Sequence, residues 1–184
     1  MRYATITAIS LAVAAALIVS AAHAAVYTFD YESNAGLSAT GKITVDSSGE
    51  VTGVTGIVSG LVNDTITGIV VNPNYPAAAY SPDGAFIYDN AYLGGSQPFD
   101  IDGLLFTTAS NPGGYWNLWG NSPTSYSLWE SVPGAGYPIA TSGTMSIAAG
   151  APEAPTWAMM MRGVASLGYA MRRRNRAPVA AFSA

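Results

Sequence analysis

The run Tyr115-Trp116-Asn117-Leu118-Trp119-Gly120-Asn121-Ser122-Pro123-Thr124-Ser125-Tyr126-Ser127-Leu128-Trp129-Glu130 decides how the chain is read. Two stretches with a period of two flank the turn residues from Gly120 to Ser125, which predicts a β-hairpin. Pairing 115–119 with 126–130 puts Trp116 and Leu118 on one face and Tyr126 and Leu128 on the partner's matching face. These are the expected core faces. Trp119 then falls on the other side with Asn117, and Trp129 with Ser125, Ser127 and Ser131.

The same alternation recurs outward from this hairpin. It runs through residues 26–32, 37–46, 51–59, 66–71, 85–92, 101–108 and 139–148. Each stretch is bounded by Gly, Pro, Asn, Asp or Ser. Between Ala25 and Gly150 there are 18 glycines and eight prolines, which suits frequent turns, and no 3.6-residue period is sustained. The expected fold is all-β: an antiparallel β-sandwich of about nine strands. An N-terminal signal helix and a C-terminal short hydrophobic helix are expected to flank it.

Charge divides the chain. The formal net charge is −4, but six of the seven cations are the terminal arginines Arg2, Arg162, Arg172, Arg173, Arg174 and Arg176. From Ala25 to Gly150 one cation, Lys42, faces ten acids, a net of −9. Such a body repels phosphate backbones, so no nucleic-acid partner is expected. There is no cysteine, which excludes disulfides, thiolate metal sites and cysteine nucleophiles. The one histidine, His23, lies in the N-terminal segment. The body therefore has no imidazole for Ser-His-Asp chemistry or zinc ligation. Carboxylates, Tyr, Lys42 and hard cations are what remain for chemistry.

The two ends read as addresses. Residues 1–24 combine an early arginine, an apolar run from Ala4 to Val19, and the small-residue site Ser20-Ala21-Ala22-His23-Ala24. This is a secretory signal peptide, with cleavage expected after Ala24 or Ala22. Its partners are the Sec translocon and signal peptidase. At the other end, Pro152-Glu153-Ala154-Pro155-Thr156-Trp157 precedes an apolar stretch from Ala158 to Met171. The basic cluster Arg172, Arg173, Arg174 and Arg176 follows, which stops transfer and stays cytoplasmic. A transmembrane helix with transient inner-membrane insertion is expected there.

The Pro-Glu element, the Thr-Trp-Ala start, the short apolar segment and the arginines resemble a PEP-CTERM protein-sorting signal. Such signals occur in Gram-negative bacteria that make exopolysaccharide. The resemblance covers residues 151–176 and leaves 177–184 as a tail. It implies processing near Pro152-Glu153 by an exosortase-like enzyme and delivery to the cell surface or extracellular matrix. It implies no activity for the body at 25–150. The expectation is an exported, non-enzymatic surface or biofilm-matrix protein.

Three site readings stay open. Trp119 and Trp129, among small polar residues, make a candidate flat platform for stacking on sugar rings, with exopolysaccharide as partner. Asp100-Ile101-Asp102-Gly103 pairs two carboxylates that, joined by Asp64, Asp83 or Asp89, could hold Ca²⁺, which takes six to eight oxygens. Alternatively, Asp100 caps a turn before glycine. A glycoside hydrolase working with carboxylates alone would need two acids about 5–10 Å apart across a cleft.

Overall fold

The computed structural model describes residues 24–150, 160–166 and 172. The chain divides into two units, Met1–Gly150 and Ala151–Ala184. Short alternating runs build ten strands in the first: β1 (Ala25–Ser33), β2 (Ser38–Val45), β3 (Val51–Ser59), β4 (Asp64–Ile69), β5 (Ala79–Tyr80), β6 (Ile87–Tyr88), β7 (Leu104–Thr108), β8 (Tyr115–Ser122), β9 (Ser125–Val132) and β10 (Gly136–Ala149).

Eight of them close into one antiparallel barrel in the order β1-β10-β9-β8-β7-β4-β3-β2, and β5 and β6 form a separate two-stranded sheet. The expected nine-stranded sandwich is therefore corrected to a barrel. The reason lies in β1, which is paired along both edges. On one side Ala25 to Glu32 meet Val45 to Ser38 of β2, and on the other Tyr27 to Ser33 meet Ala149 to Gly143 of β10. Two sheets of a sandwich would leave four edges; here the ring of strands leaves none. Local bends make closure possible. Register shifts fall between Gly136 and Ile139 of β10, Gly120 and Ser122 of β8, and Ile66 and Gly68 of β4.

The interior is filled by side chains, as an eight-stranded barrel allows. Phe29, Tyr31, Ile43, Phe106, Trp116 and Leu128 are among its fully buried members. One glycine is required by this packing. Gly41 faces Phe29 across the β1–β2 pair, and a Cβ there would collide with the Thr55 carbonyl of β3 and press on the Phe29 ring at 2.8 Å. The buried Tyr31 hydroxyl meets the Thr141 hydroxyl at 3.0 Å, and Thr141 in turn donates to the Leu128 carbonyl at 3.0 Å. On β1 and β2 the outward residues are Val26, Thr28, Asp30, Glu32, Ser38, Thr40, Lys42 and Thr44, so all but one of the outward groups are polar. That alternation is the reverse of a lipid-facing barrel.

Between β4 and β7 the chain leaves the wall, forms β5–β6, and lies over the outside of β7 and β8. Leu105, pointing outward between inward Leu104 and Phe106, packs with Ala79, Phe86 and Tyr88 in a second core. The expected strands at 85–92 and 101–108 shrink to Ile87–Tyr88 and Leu104–Thr108, because the residues between them are spent on this excursion. Asn90 fastens it. The residue is fully buried with φ of 58°, a left-handed conformation that Asn tolerates. Its N–H donates to the Gly103 carbonyl and its own carbonyl accepts from Val51 N–H, both at 2.9 Å. Its Oδ1 accepts from Leu105 N–H at 3.0 Å, and its Nδ2 donates to the Val70 carbonyl at 2.7 Å.

In the second unit, the described residues 160–166 are helical. Among the described residues no helix is long and apolar enough to cross a membrane, which corrects the expected transmembrane helix; the expected N-terminal signal helix lies outside the described residues. Arg162 lies within the apolar run, and a cation is costly in hydrocarbon. The signal segment with Ala22, the motif Pro152, Glu153, Ala154, Pro155 and Trp157, the cations Arg173, Arg174 and Arg176, and the 177–184 tail lie outside the described residues. Ala24 and Arg172 are described, and both are exposed.

Candidate functional site

The β8–β9 hairpin builds the site. Asn117 pairs with Trp129 and Trp119 with Ser127, and the register continues to Ser122 and Ser125 around a tight Pro123-Thr124 turn. Trp116, Leu118, Tyr126 and Leu128 point into the barrel, each at most 1 % exposed. Asn117, Trp119, Ser127 and Trp129 therefore point outward. Trp119 and Trp129 are diagonal neighbours on that face, within reach of each other's rings. Their centroids lie 5.2 Å apart with planes at 64°. The indoles thus form a corner rather than the flat platform expected from the sequence.

Two further rings complete the corner. Tyr137, at the start of β10, lies 5.5 Å from Trp129 with an interplanar angle of 62°. Phe86, from the excursion, lies 5.5 Å from Tyr137 and 6.4 Å from Trp119. The circuit Phe86–Trp119–Trp129–Tyr137 has no stacked pair; tilted and edge-on contacts of this kind are the favoured aromatic geometry. The Tyr137 hydroxyl donates to the Ala85 carbonyl at 2.6 Å, tying β10 to the excursion. Trp119 Nε1 donates to Asn121 Oδ1 at 3.1 Å, which fixes that indole. Together the rings line an open cleft of about 390 Å³ on the outer wall of the barrel. Exposed Ile87 and Ile101 extend its apolar lining, and Asp102 and Asn117 are its polar members. Asn117 is 2 % exposed and donates to the carbonyls of Ile87 and Asp102, both at 3.1 Å, so it pins the excursion against β8.

Asp102 belongs to a second arrangement. Carboxylate atoms of Asp89, Asp100 and Asp102 all lie within 4.8 Å of one another. Of the three partners offered by the sequence, Asp89 joins the pair. Asp64 and Asp83 do not: Asp64 accepts from Ser110, and Asp83 accepts from Ser81 and Ser131. Burial works against both of these charges, but the hydrogen bonds outweigh it and hold both carboxyls below the usual range. The trio behaves oppositely. Burial, with the charges of Asp100 and Asp102, pushes Asp89 up to about 6. Burial and then Asp100 push Asp102 up as well.

As a cation site the trio is partly committed already. Asp100 Oδ1 accepts from Asp102 N–H at 3.0 Å and from Gly103 N–H at 3.4 Å, the turn cap the Asp-x-Asp-Gly spacing allows. Asp89 Oδ1 accepts from Ala91 N–H at 2.9 Å. The residues able to hold Ca²⁺ are thus three carboxylates with two oxygens in use, against a need for six to eight ligands. The cleft itself is lined by a single carboxylate, Asp102, whereas glycoside hydrolysis needs a pair flanking the bond.

Sequence reasoning paired Trp119 with Trp129 but missed Phe86 and Tyr137. Phe86 sits in a stretch that reads as an ordinary strand, and Tyr137 sits among Gly and Pro. Aromatic residues beside turn chemistry were the one available signal for Tyr137.

No family model, no curated protein and no solved structure matches this chain.

Proposed function

We propose that this protein is an exported, non-enzymatic component of the cell surface or extracellular matrix whose barrel holds polysaccharide in the aromatic cleft. The observation that carries the reading is the corner formed by Trp119, Trp129 and Tyr137 on the outer wall. The barrel interior is packed with its own side chains, so a ligand must bind outside it. The apolar face of a pyranose can lie on one indole while its edge meets the other, and flanking backbone and side-chain polar groups can take its hydroxyls. Export and sorting rest on the sequence of the two ends.

The test is titration of the purified protein with oligosaccharides of the host matrix, followed by tryptophan fluorescence and calorimetry. Trp119→Ala and Trp129→Ala should each weaken binding by about 5- to 30-fold, the effect of removing a central aromatic anchor of about 1–2 kcal/mol. Far-ultraviolet circular dichroism should stay that of the barrel. Unchanged emission and no heat with every glycan tested would sink the reading.

A further inference from the structure

We infer that the cleft is selective for a glycan carrying protonated amino groups. This rests on the cleft reading above and adds the chemistry of its ligand. The negative charge beside the cleft is uncompensated. Asp102 lines the aromatic cleft, and the carboxylates of Asp89 and Asp100 lie within 4.8 Å of it. Between Ala25 and Gly150 the single cation is Lys42. It sits on β2, four strands from β8 in either direction around the barrel. No cation is among the groups that act on Asp89 or Asp102.

Asn117 supplies a separate pointer to the ligand. It lines the same cleft, is 2 % exposed, and its Oδ1 has no hydrogen-bond partner. A buried acceptor left unpaired is costly and calls for a donor. The polar side chains of the cleft thus favour a ligand that donates over one that accepts.

Apolar walls sharpen the field of the trio, because they exclude the water that would screen it. The like charges crowd one another, and both Asp89 and Asp102 are pushed above the ordinary carboxylate range, first by burial and then by their neighbours. A bound cation relieves the crowding of like charges.

Two cations compete for this place. Ca²⁺ wants hard oxygens, and the trio has two of its oxygens on backbone N–H groups while the cleft beside it offers rings. An ammonium group suits the same surroundings. It can donate to the Asp102 carboxylate while a ring face beside it contributes a cation–π contact. The sugar ring that bears it lies on the indoles. A uronic-acid polymer meets the opposite situation, with its own carboxylates facing the trio.

The experiment compares a glucosamine oligomer, its fully N-acetylated counterpart of equal length, and a uronic-acid oligomer. Each is titrated into the purified protein below neutral pH, at low and high salt. The amine oligomer should bind about tenfold tighter than the acetylated one, the size of a charge-assisted contact. High salt and Asp102→Asn should both erase that preference, whereas Trp129→Ala should weaken both oligomers together. Where Asp102→Asn fails to fold, the salt dependence of the unaltered protein tests the same point. Equal affinity for the amine and acetylated oligomers overturns the inference and leaves the cleft reading standing. Tightest binding of the uronic-acid oligomer, or binding that appears only with added Ca²⁺, overturns it too. Absence of binding by all three sinks the cleft reading as well.

Discussion

Replacing Asn90 should be among the most damaging single changes outside the barrel core, and two variants separate its causes. Asn90→Gly keeps the left-handed backbone at no steric cost but removes both side-chain hydrogen bonds. The Leu105 N–H is then left buried without a partner, at about 1–3 kcal/mol. The Val70 carbonyl is only half-buried and can recruit water, which limits its loss to about 1 kcal/mol. The sum is about 2–4 kcal/mol, a large share of the roughly 5–15 kcal/mol that stabilises a domain. Asn90→Ala loses the same bonds and adds about 1–2 kcal/mol for a Cβ in the left-handed region at φ of 58°. Urea and thermal unfolding followed by circular dichroism measure both. The urea midpoint should fall with an unchanged slope, and Asn90→Gly should melt about 8–15 °C lower. A loss below about 1 kcal/mol in Asn90→Gly would refute the fastening role, because the bonds would then be replaceable. Equal losses in the two variants would refute the claim that the backbone conformation is strained for alanine.

Acid dependence gives a further prediction. Burial raises Asp89 to about 6, so between about pH 4 and 6 the folded form binds more protons than the unfolded form, and stability falls as pH rises through that window. Asp64 and Asp83 are held low, so their stabilisation is present above the ordinary carboxylate range and is lost as pH falls beneath it. Thermal stability should therefore peak at mildly acidic pH, and Asp89→Asn, which keeps the acceptor for Ala91 N–H, should recover about 1–2 kcal/mol at neutral pH. An unchanged pH profile in that variant would contradict the role given to burial. For export, intact-mass measurement of the surface-associated protein should give a chain that starts at Ala25 and lacks the arginine cluster; recovery of a species still ending in Ala184 would overturn the sorting reading.

Much of the hairpin was legible in the sequence and the barrel was not, for a physical reason. Alternation at Trp116, Leu118, Tyr126 and Leu128 decides which side of a strand is buried, because side chains alternate strictly between faces. It carries no information on whether the buried side faces a second sheet or the centre of a ring. That distinction rests on β1 pairing with β10, and residues such as Thr28 and Ala148 that meet there are 120 positions apart. The site divides the same way. Trp119 and Trp129 lie close in sequence and their shared face could be read. Phe86 arrives from the excursion, joined to the hairpin only by tertiary contacts, and Tyr137 from the irregular start of β10, where a register shift breaks the alternation that would have placed it. Among the acids, Asp100 and Asp102 declared themselves by spacing. Asp89 could be told from Asp64 and Asp83 only by where the excursion folds back.

The β1–β10 seam also dictates an order of events. A chain made from its N-terminus presents β1 first and β10 last. β1 finds β2 early, since eight residues of it pair with the next strand along. Its other edge must wait for nearly the whole body to be synthesised. Until then that edge of β1 has no partner for its N–H and C=O groups, and an unpaired strand edge is the kind of surface that recruits chaperones or aggregates. Pairings this distant in sequence also form slowly. The finished ring hides every edge of its eight strands, so the hazard belongs to the making of the molecule and not to its folded life.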